Sequence, residues 1–182
     1  MKLALIAGSN RKNASSTILL RYVERVLASR NIEVAFVELA ELPLPLYSPD
    51  DAIHPNALTL RQAVEDADGL ILATPEYHNS VSGTLKNALD YLDIGLVKGK
   101  PVLSVSSAGG PIGFGSLQHL QGIVRGLHGV NCPEWISIGY GSNAFGPDGA
   151  PADEGVSIRI EGAVKELTDM ARALAPLAAE AI

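Results

Sequence analysis

Short unbroken apolar runs alternate along this chain with longer stretches in which apolar residues recur every three or four positions. The runs suit strands buried on both faces, and the stretches suit helices with one inward stripe. Residues 3–7, Leu-Ala-Leu-Ile-Ala, predict a first strand. Residues 16–29 predict a helix with Ile18, Leu19, Tyr22, Val23, Val26 and Leu27 inward, Arg21, Glu24 and Arg25 outside, and Asn31 as its stop. Residues 32–39 predict a second strand, in which Glu33 points to an edge position. A prolyl stretch from Leu42 to Asn56, with Pro43, Pro45, Pro49 and Pro55, excludes regular structure. Loops of that length are often functional.

Asn56 is placed to cap a helix running to about Ala67, and Gly69 to Thr74 predicts a third strand. A loop from Pro75 to Gly83 leads into a helix over about 84–93, with Leu85, Ala88, Leu89 and Leu92 on one face. Residues 101–106 predict a fourth strand, and a glycine-rich loop from Ser107 to Gly115 leads into a helix ending near Leu127. Glu134 to Ile138 predicts a short fifth strand. Gly139 to Gly149 reads as loop, and a last helix spans about Asp153 to Ala175. Strands alternating with helices predict an α/β fold with a parallel sheet covered on both faces. Right-handed crossovers leave few topologies, and a flavodoxin-like three-layer sandwich with strand order 2-1-3-4-5 suits five strands best. The loops after strands 1, 3 and 4 then meet at one crevice.

Length and charge narrow the setting. At 182 residues the chain predicts a single domain over 1–182, and 47% hydrophobic residues supply a core. A net charge of −6 argues against nucleic-acid binding, and no apolar stretch reaches the length of a membrane span. The lone cysteine, Cys132, excludes an internal disulfide framework and reads as an inert core thiol. The N-terminal apolar run is too short for a secretory signal, which leads to the expectation of a cytoplasmic protein.

The candidate chemistry starts in the first loop, Gly8-Ser9-Asn10-Arg11-Lys12-Asn13-Ala14-Ser15-Ser16-Thr17. Gly8 is read as the sharp turn, the hydroxyls and Arg11 as donors, and the following helix as a source of free N–H groups. A phosphate monoester suits these groups, whereas the spacings of the nucleotide P-loop and the dinucleotide fingerprint are absent. The same residues also fit an ordinary turn with a Ser or Thr N-cap. In the third loop Tyr77 and His78 offer flat surfaces, and free main-chain groups suit a planar heteroaromatic ring. A flat ring above a phosphate loop points to flavin mononucleotide, FMN. No residues show metal-ligand spacing, and Ser80 and Ser82 lack the elbow and partners of a hydrolase.

The pattern Gly-Ser-x-Arg in the first loop, followed by Pro75-Glu76-Tyr77-His78 and Ser82-Gly83-Thr84-Leu85-Lys86-Asn87-Ala88-Leu89-Asp90, resembles the NADPH-dependent FMN reductase family. His78 and Ser82-Gly83, where many members read Asn and Pro-Gly, look more like its azobenzene-reductase branch. The resemblance implies that Ser9, Asn10, Arg11, Ser16 and Thr17 hold the FMN phosphate. It implies that Pro75, Glu76, Tyr77 and His78 line the ribityl chain and ring, and that Ser107, Ala108, Gly109 and Gly110 approach the pyrimidine edge. It further implies no catalytic side chain. NADPH or NADH gives a hydride to flavin N5 and leaves, and a small electron acceptor such as an azo compound, a quinone, free flavin or a metal oxyanion takes its place. A homodimer or homotetramer follows by the same resemblance, with Tyr91, Ile94, His119, Ile123 and Leu127 as candidate contacts. The competing reading is a flavodoxin-like electron carrier without its own NAD(P)H reaction. Such a carrier calls for acidic clustering around the flavin, and these loops carry Arg11, Lys12 and only Glu76.

Overall fold

The computed structural model of the chain describes residues 1–179; positions 180–182 of the expected 1–182 unit lie outside them. One parallel sheet has the order β2-β1-β3-β4-β5, as the sequence predicts. Its strands are β1 Lys2–Ala7, β2 Glu33–Glu38, β3 Gly69–Pro75, β4 Pro101–Ser107 and β5 Val130–Ile138. The helices are α1 Ser15–Ser29, α2 Pro55–Glu65, α3 Gly83–Asp90, α4 Ile94–Val97, α5 Phe114–Gly126 and α6 Glu154–Ala179.

The apolar runs become the three central strands because both of their faces are covered. On β1, Leu3, Leu5 and Ala7 join one core with Leu19, Leu20 and Val23 of α1 and Ile160, Val164 and Leu167 of α6. The alternate residues Ala4 and Ile6 join a second core with Leu60 of α2, Leu85 and Leu89 of α3 and Leu120 of α5. The period of two along a strand thus divides the core between the faces. β2 lies at the sheet edge, as Glu33 suggests, and Arg21 covers part of it by bonding Glu38 at 2.9 Å and stacking over Phe36.

Several boundaries differ from the sequence reading. β5 begins at Val130 rather than Glu134, because Val130 and Asn131 pair with Pro101 and Val102. The register then shifts before Ser104 meets Trp135, across the stretch where Pro133 has no N–H to offer. The helix expected to reach Asp93 ends at Asp90, and the Asp93 carboxylate caps the separate short helix α4 by accepting from Leu96 N–H. α2 is capped by the imidazole of His54, which accepts from Asn56 N–H at 3.2 Å, with Pro55 in the first turn. Asn56 instead donates to the Pro43 carbonyl and ties the prolyl stretch to α2. Asn31 does take the left-handed conformation that ends α1, at φ 58°.

Candidate functional site

The loops that leave the carboxyl ends of β1, β3 and β4 lie side by side, where open α/β sheets bind ligands. In the first loop Ser9 is buried and its Oγ accepts from Arg11 N–H at 3.1 Å. Asn10, Arg11, Lys12 and Asn13 are exposed, and neither cation forms an ion pair among the described residues. Asn13 takes φ 55° and delivers Ala14 to the N-cap position of α1, so no Ser or Thr side chain caps this helix. The capping alternative is thereby removed. Ser16 and Thr17, in the first turn, are buried, and their hydroxyl oxygens have no partner among the described residues. An unpaired buried polar group costs about 1–3 kcal/mol. Two of them at an uncapped helix N-terminus form a cradle whose chemistry fits a phosphate.

Gly8 acts differently from the expected turn. Its φ is not positive; a Cβ there meets the Ala73 carbonyl at 2.6 Å and Leu85 Cβ at 2.7 Å. Glycine is required because α3 packs directly on the start of this loop. Ser82 fastens the two: its hydroxyl donates to the Gly8 carbonyl and accepts from Leu85 N–H at 3.0 Å, capping α3. Thr74 Oγ1 accepts from Ser82 N–H at 2.9 Å.

In the third loop Pro75 is the buried last residue of β3, and Ser107 is the buried last residue of β4. Tyr77 and Ser80 exchange two backbone hydrogen bonds of 3.0 Å around His78 and Asn79, which take φ 52° and 60°. This is a tight hairpin with both central residues left-handed, held although neither is glycine. It seats on α5: Asn79 lies where any Gly115 side chain would be, and Ser80 Oγ meets His119 Nδ1 at 2.9 Å. Tyr77 and His78 are exposed at its tip. The Glu76 side chain does not face that tip. Its carboxylate accepts from Ser116 N–H at 2.8 Å, while its own N–H donates to the Ser107 carbonyl at 2.7 Å.

The fourth loop is shaped from both sides. Ala108 N–H donates to Ile138 and Tyr140 N–H to Gly110, and Gly139 leaves room for the carbonyls of Gly110 and Pro111. Gly109 and Gly110 are exposed, and a Cβ on either meets nothing within 4 Å. Among the described residues nothing crowds a side chain at these two positions, so packing does not demand glycine there.

The sequence pattern includes Asn87 but does not show what its side chain holds. Its side chain accepts from Tyr47 N–H and donates to the Pro45 carbonyl, both at 2.8 Å, and Tyr91 Oη donates to the same carbonyl at 3.1 Å. The missing signal was one of accounting, since a prolyl loop outside the sheet needs side chains to answer its backbone. Of the candidate subunit contacts, Tyr91 is buried within this chain, Ile123 and Leu127 are half-buried against its second core, and Ile94 and His119 are exposed. Burial, then the charge of Glu166, pushes the Cys132 thiol up to about 12. Among the described residues no cluster of acidic, His or Cys side chains is arranged to hold a metal ion, and no helix is long and apolar enough to cross a membrane.

Comparison with known proteins places this geometry. The family model of NADPH-dependent FMN reductase matches residues 1–143. The FMN-dependent NADPH-azoreductase of Staphylococcus aureus is 38% identical over 156 residues, covering 82% of this chain and 83% of that protein. The flavoenzyme NAD(P)H:(acceptor) oxidoreductase FerB of Paracoccus denitrificans superposes with a TM-score of 0.79 at 26% identity, covering 95% of this chain and 98% of that one. An apo NADH:FMN oxidoreductase shares the fold, with a TM-score of 0.76 at 20% identity over 95% of this chain and 89% of that one. The chain belongs to the NADPH-dependent FMN reductase family and is an oxidoreductase working with FMN and NAD(P)H.

Proposed function

We propose that this enzyme holds FMN across its three loops and passes electrons from NAD(P)H to a small acceptor of the azo, quinone, free-flavin or metal-oxyanion class. The observation that carries the placement is the pair of unpartnered buried hydroxyls, Ser16 Oγ and Thr17 Oγ1, at the uncapped start of α1. They would donate to phosphate oxygens, joined by the first-turn N–H groups and by the Arg11 guanidinium. Ser9 would shape this loop from within and Asn10 would edge it. Pro75 and the Glu76–His78 main chain would line the ring, with the exposed Tyr77 beside it. The backbone of Ala108, Gly109 and Gly110, beyond Ser107, would approach the pyrimidine edge and offer N–H donors there. When bound, FMN supplies the hydride chemistry, in a ping-pong cycle whose two half-reactions share one site.

Tyr77, Ile112, Phe114 and Tyr140, in or beside the loops after β3, β4 and β5, are 48, 57, 50 and 79% exposed. A second copy of the chain would cover such side chains and exclude water, so a cytoplasmic homodimer or homotetramer is part of the proposal. The test is a visible spectrum of the FMN-reconstituted protein before and after anaerobic NADPH. Bound flavin that bleaches with NADPH and recovers on adding an azo dye or quinone supports the reading. Bound flavin that bleaches only with dithionite rejects the NAD(P)H reaction, and absence of flavin binding rejects the site. Light scattering on a sizing column reads the oligomer; a monomer rejects that part alone.

A further inference from the structure

We propose that Glu76 is a positioning residue that fixes the glycine loop and sets the charge beside the bound ring, an inference that rests on the FMN site proposed above. Helix α5 begins at Phe114, and its N-cap, Gly113, has no side chain to answer the first-turn N–H groups. The answer comes from a residue 40 positions earlier, through the Glu76 carboxylate on Ser116 N–H at 2.8 Å. Ser116 is itself fully buried, with its hydroxyl 2.7 Å from Ser106 Oγ and 3.0 Å from the Gly113 carbonyl. At its other end Glu76 holds β4, through its N–H on the Ser107 carbonyl at 2.7 Å. One residue therefore grips both ends of the segment between Ser107 and Ser116. The exposed Gly109 and Gly110 lie between the grips without side chains of their own, and the segment is otherwise steadied by Tyr140 N–H on the Gly110 carbonyl and by Gly113 N–H on Ser137 Oγ.

The charge matters separately. Glu76 is half-buried, and no basic side chain pairs with it among the described residues. The positive end of α5 is what offsets it. Glu76 stands one residue before Tyr77 on the loop proposed to line the ring, with its carboxylate turned to the start of α5. A fixed anion there disfavours the negative charge that reduction adds to the ring, so it holds the flavin potential down.

Two substitutions separate the roles. Glu76→Gln keeps an acceptor oxygen for Ser116 N–H and removes the charge. Glu76→Ala removes both. In FMN-free protein, amide hydrogen exchange over residues 109–116 is expected to quicken at least tenfold in Glu76→Ala and to stay near wild type in Glu76→Gln, with exchange in β1 and β3 unchanged in both. In FMN-loaded protein, Glu76→Ala is expected to lose at least tenfold in FMN affinity. Glu76→Gln is expected to bind FMN as wild type does, with its midpoint potential shifted upward by about 30 mV, a tenfold change in a two-electron equilibrium. Equal exchange and equal affinity in all three proteins overturn the positioning role, and an unmoved potential in Glu76→Gln overturns the charge role. If wild type binds no FMN, the proposed function fails while the exchange experiment still decides whether Glu76 holds the loop.

Discussion

The hydroxyl of Ser82 donates to the carbonyl of Gly8, joining the loop after β1 to the helix that follows the loop after β3. The two residues are 74 positions apart, and both ends of the bond are buried. Gly8 allows the approach, since any side chain there meets α3 and the Ala73 carbonyl. The loop proposed to hold the phosphate and the loop proposed to line the ring therefore cannot shift independently.

Ser82→Ala removes the cap of α3 and leaves the Gly8 carbonyl without its donor. Loss of a cap costs about 1 kcal/mol, and an unsatisfied buried acceptor about 1–3 kcal/mol. The variant is expected to be about 2–4 kcal/mol less stable in urea denaturation. Gly8→Ala acts on the same joint by overpacking and is expected to cost about 1–3 kcal/mol. The double variant should cost less than the sum, because both changes open one contact. A Ser82→Ala midpoint equal to wild type would show that the joint is not held by this bond.

Much of this architecture is legible in the sequence, and the limits have a physical pattern. β1 and β3 are covered on both faces and read as apolar runs, whereas β4 buries Ser104 and Ser106 between its apolar residues. The start of β5 is not legible: Val130 is exposed, Asn131 is polar and Pro133 reads as a stop, yet pairing with Pro101 and Val102 makes the segment a strand. Motif spacing brings the three loops to one edge, but it does not show what the side chains do there. Glu76 reads as a ring-lining residue because its neighbours do, while its partner, Ser116, is distant in the chain. The hydroxyls at 15–17 read equally as caps or as ligand donors, and only the left-handed Asn13, which places Ala14 at the cap, separates the two.

Removing the orphan hydroxyls should act in opposite directions on the empty and loaded protein. In the FMN-free chain Ser16 Oγ and Thr17 Oγ1 are buried without partners, so Ser16→Ala and Thr17→Val are expected to hold or raise stability, by up to about 1 kcal/mol each. FMN affinity is expected to fall about tenfold for each, or about 1.4 kcal/mol. Thermal denaturation with and without FMN measures both. A loss of stability in the empty protein with no loss of affinity would show that these hydroxyls serve the fold.

The Asn87 amide answers both an N–H and a carbonyl of the prolyl loop, and the loop walls a cavity of about 350 Å³ beside Asn10. Asn87→Ala is expected to cost about 1–3 kcal/mol and to speed proteolytic nicking between residues 45 and 53. Asn87→Asp keeps the acceptor for Tyr47 N–H but loses the donor to Pro45, so its nicking rate should fall between those of wild type and Asn87→Ala. Nicking that is unchanged in both variants would mean the loop is held elsewhere.

Cys132 should make stability fall at alkaline pH. Its thiol is pushed from 9.0 up to about 12, by burial first and then by the nearby charge of Glu166. At neutral pH it is protonated in both the folded and unfolded chain and contributes no slope. As pH rises past the ordinary thiol range, the unfolded chain loses this proton and the folded chain keeps it, so the folded state binds more protons and loses stability. The loss continues until the folded thiol also ionises, near 12. Urea midpoints from pH 8 upward are therefore expected to fall more steeply in wild type than in Cys132→Ala, where this contribution is absent. Alkylation gives a second reading: the native thiol should react only on opening, at a rate that climbs with urea. Native alkylation as fast as that of a free thiol, or parallel pH profiles in the two proteins, would show that the sulfur is not sealed in the core between β4 and α6.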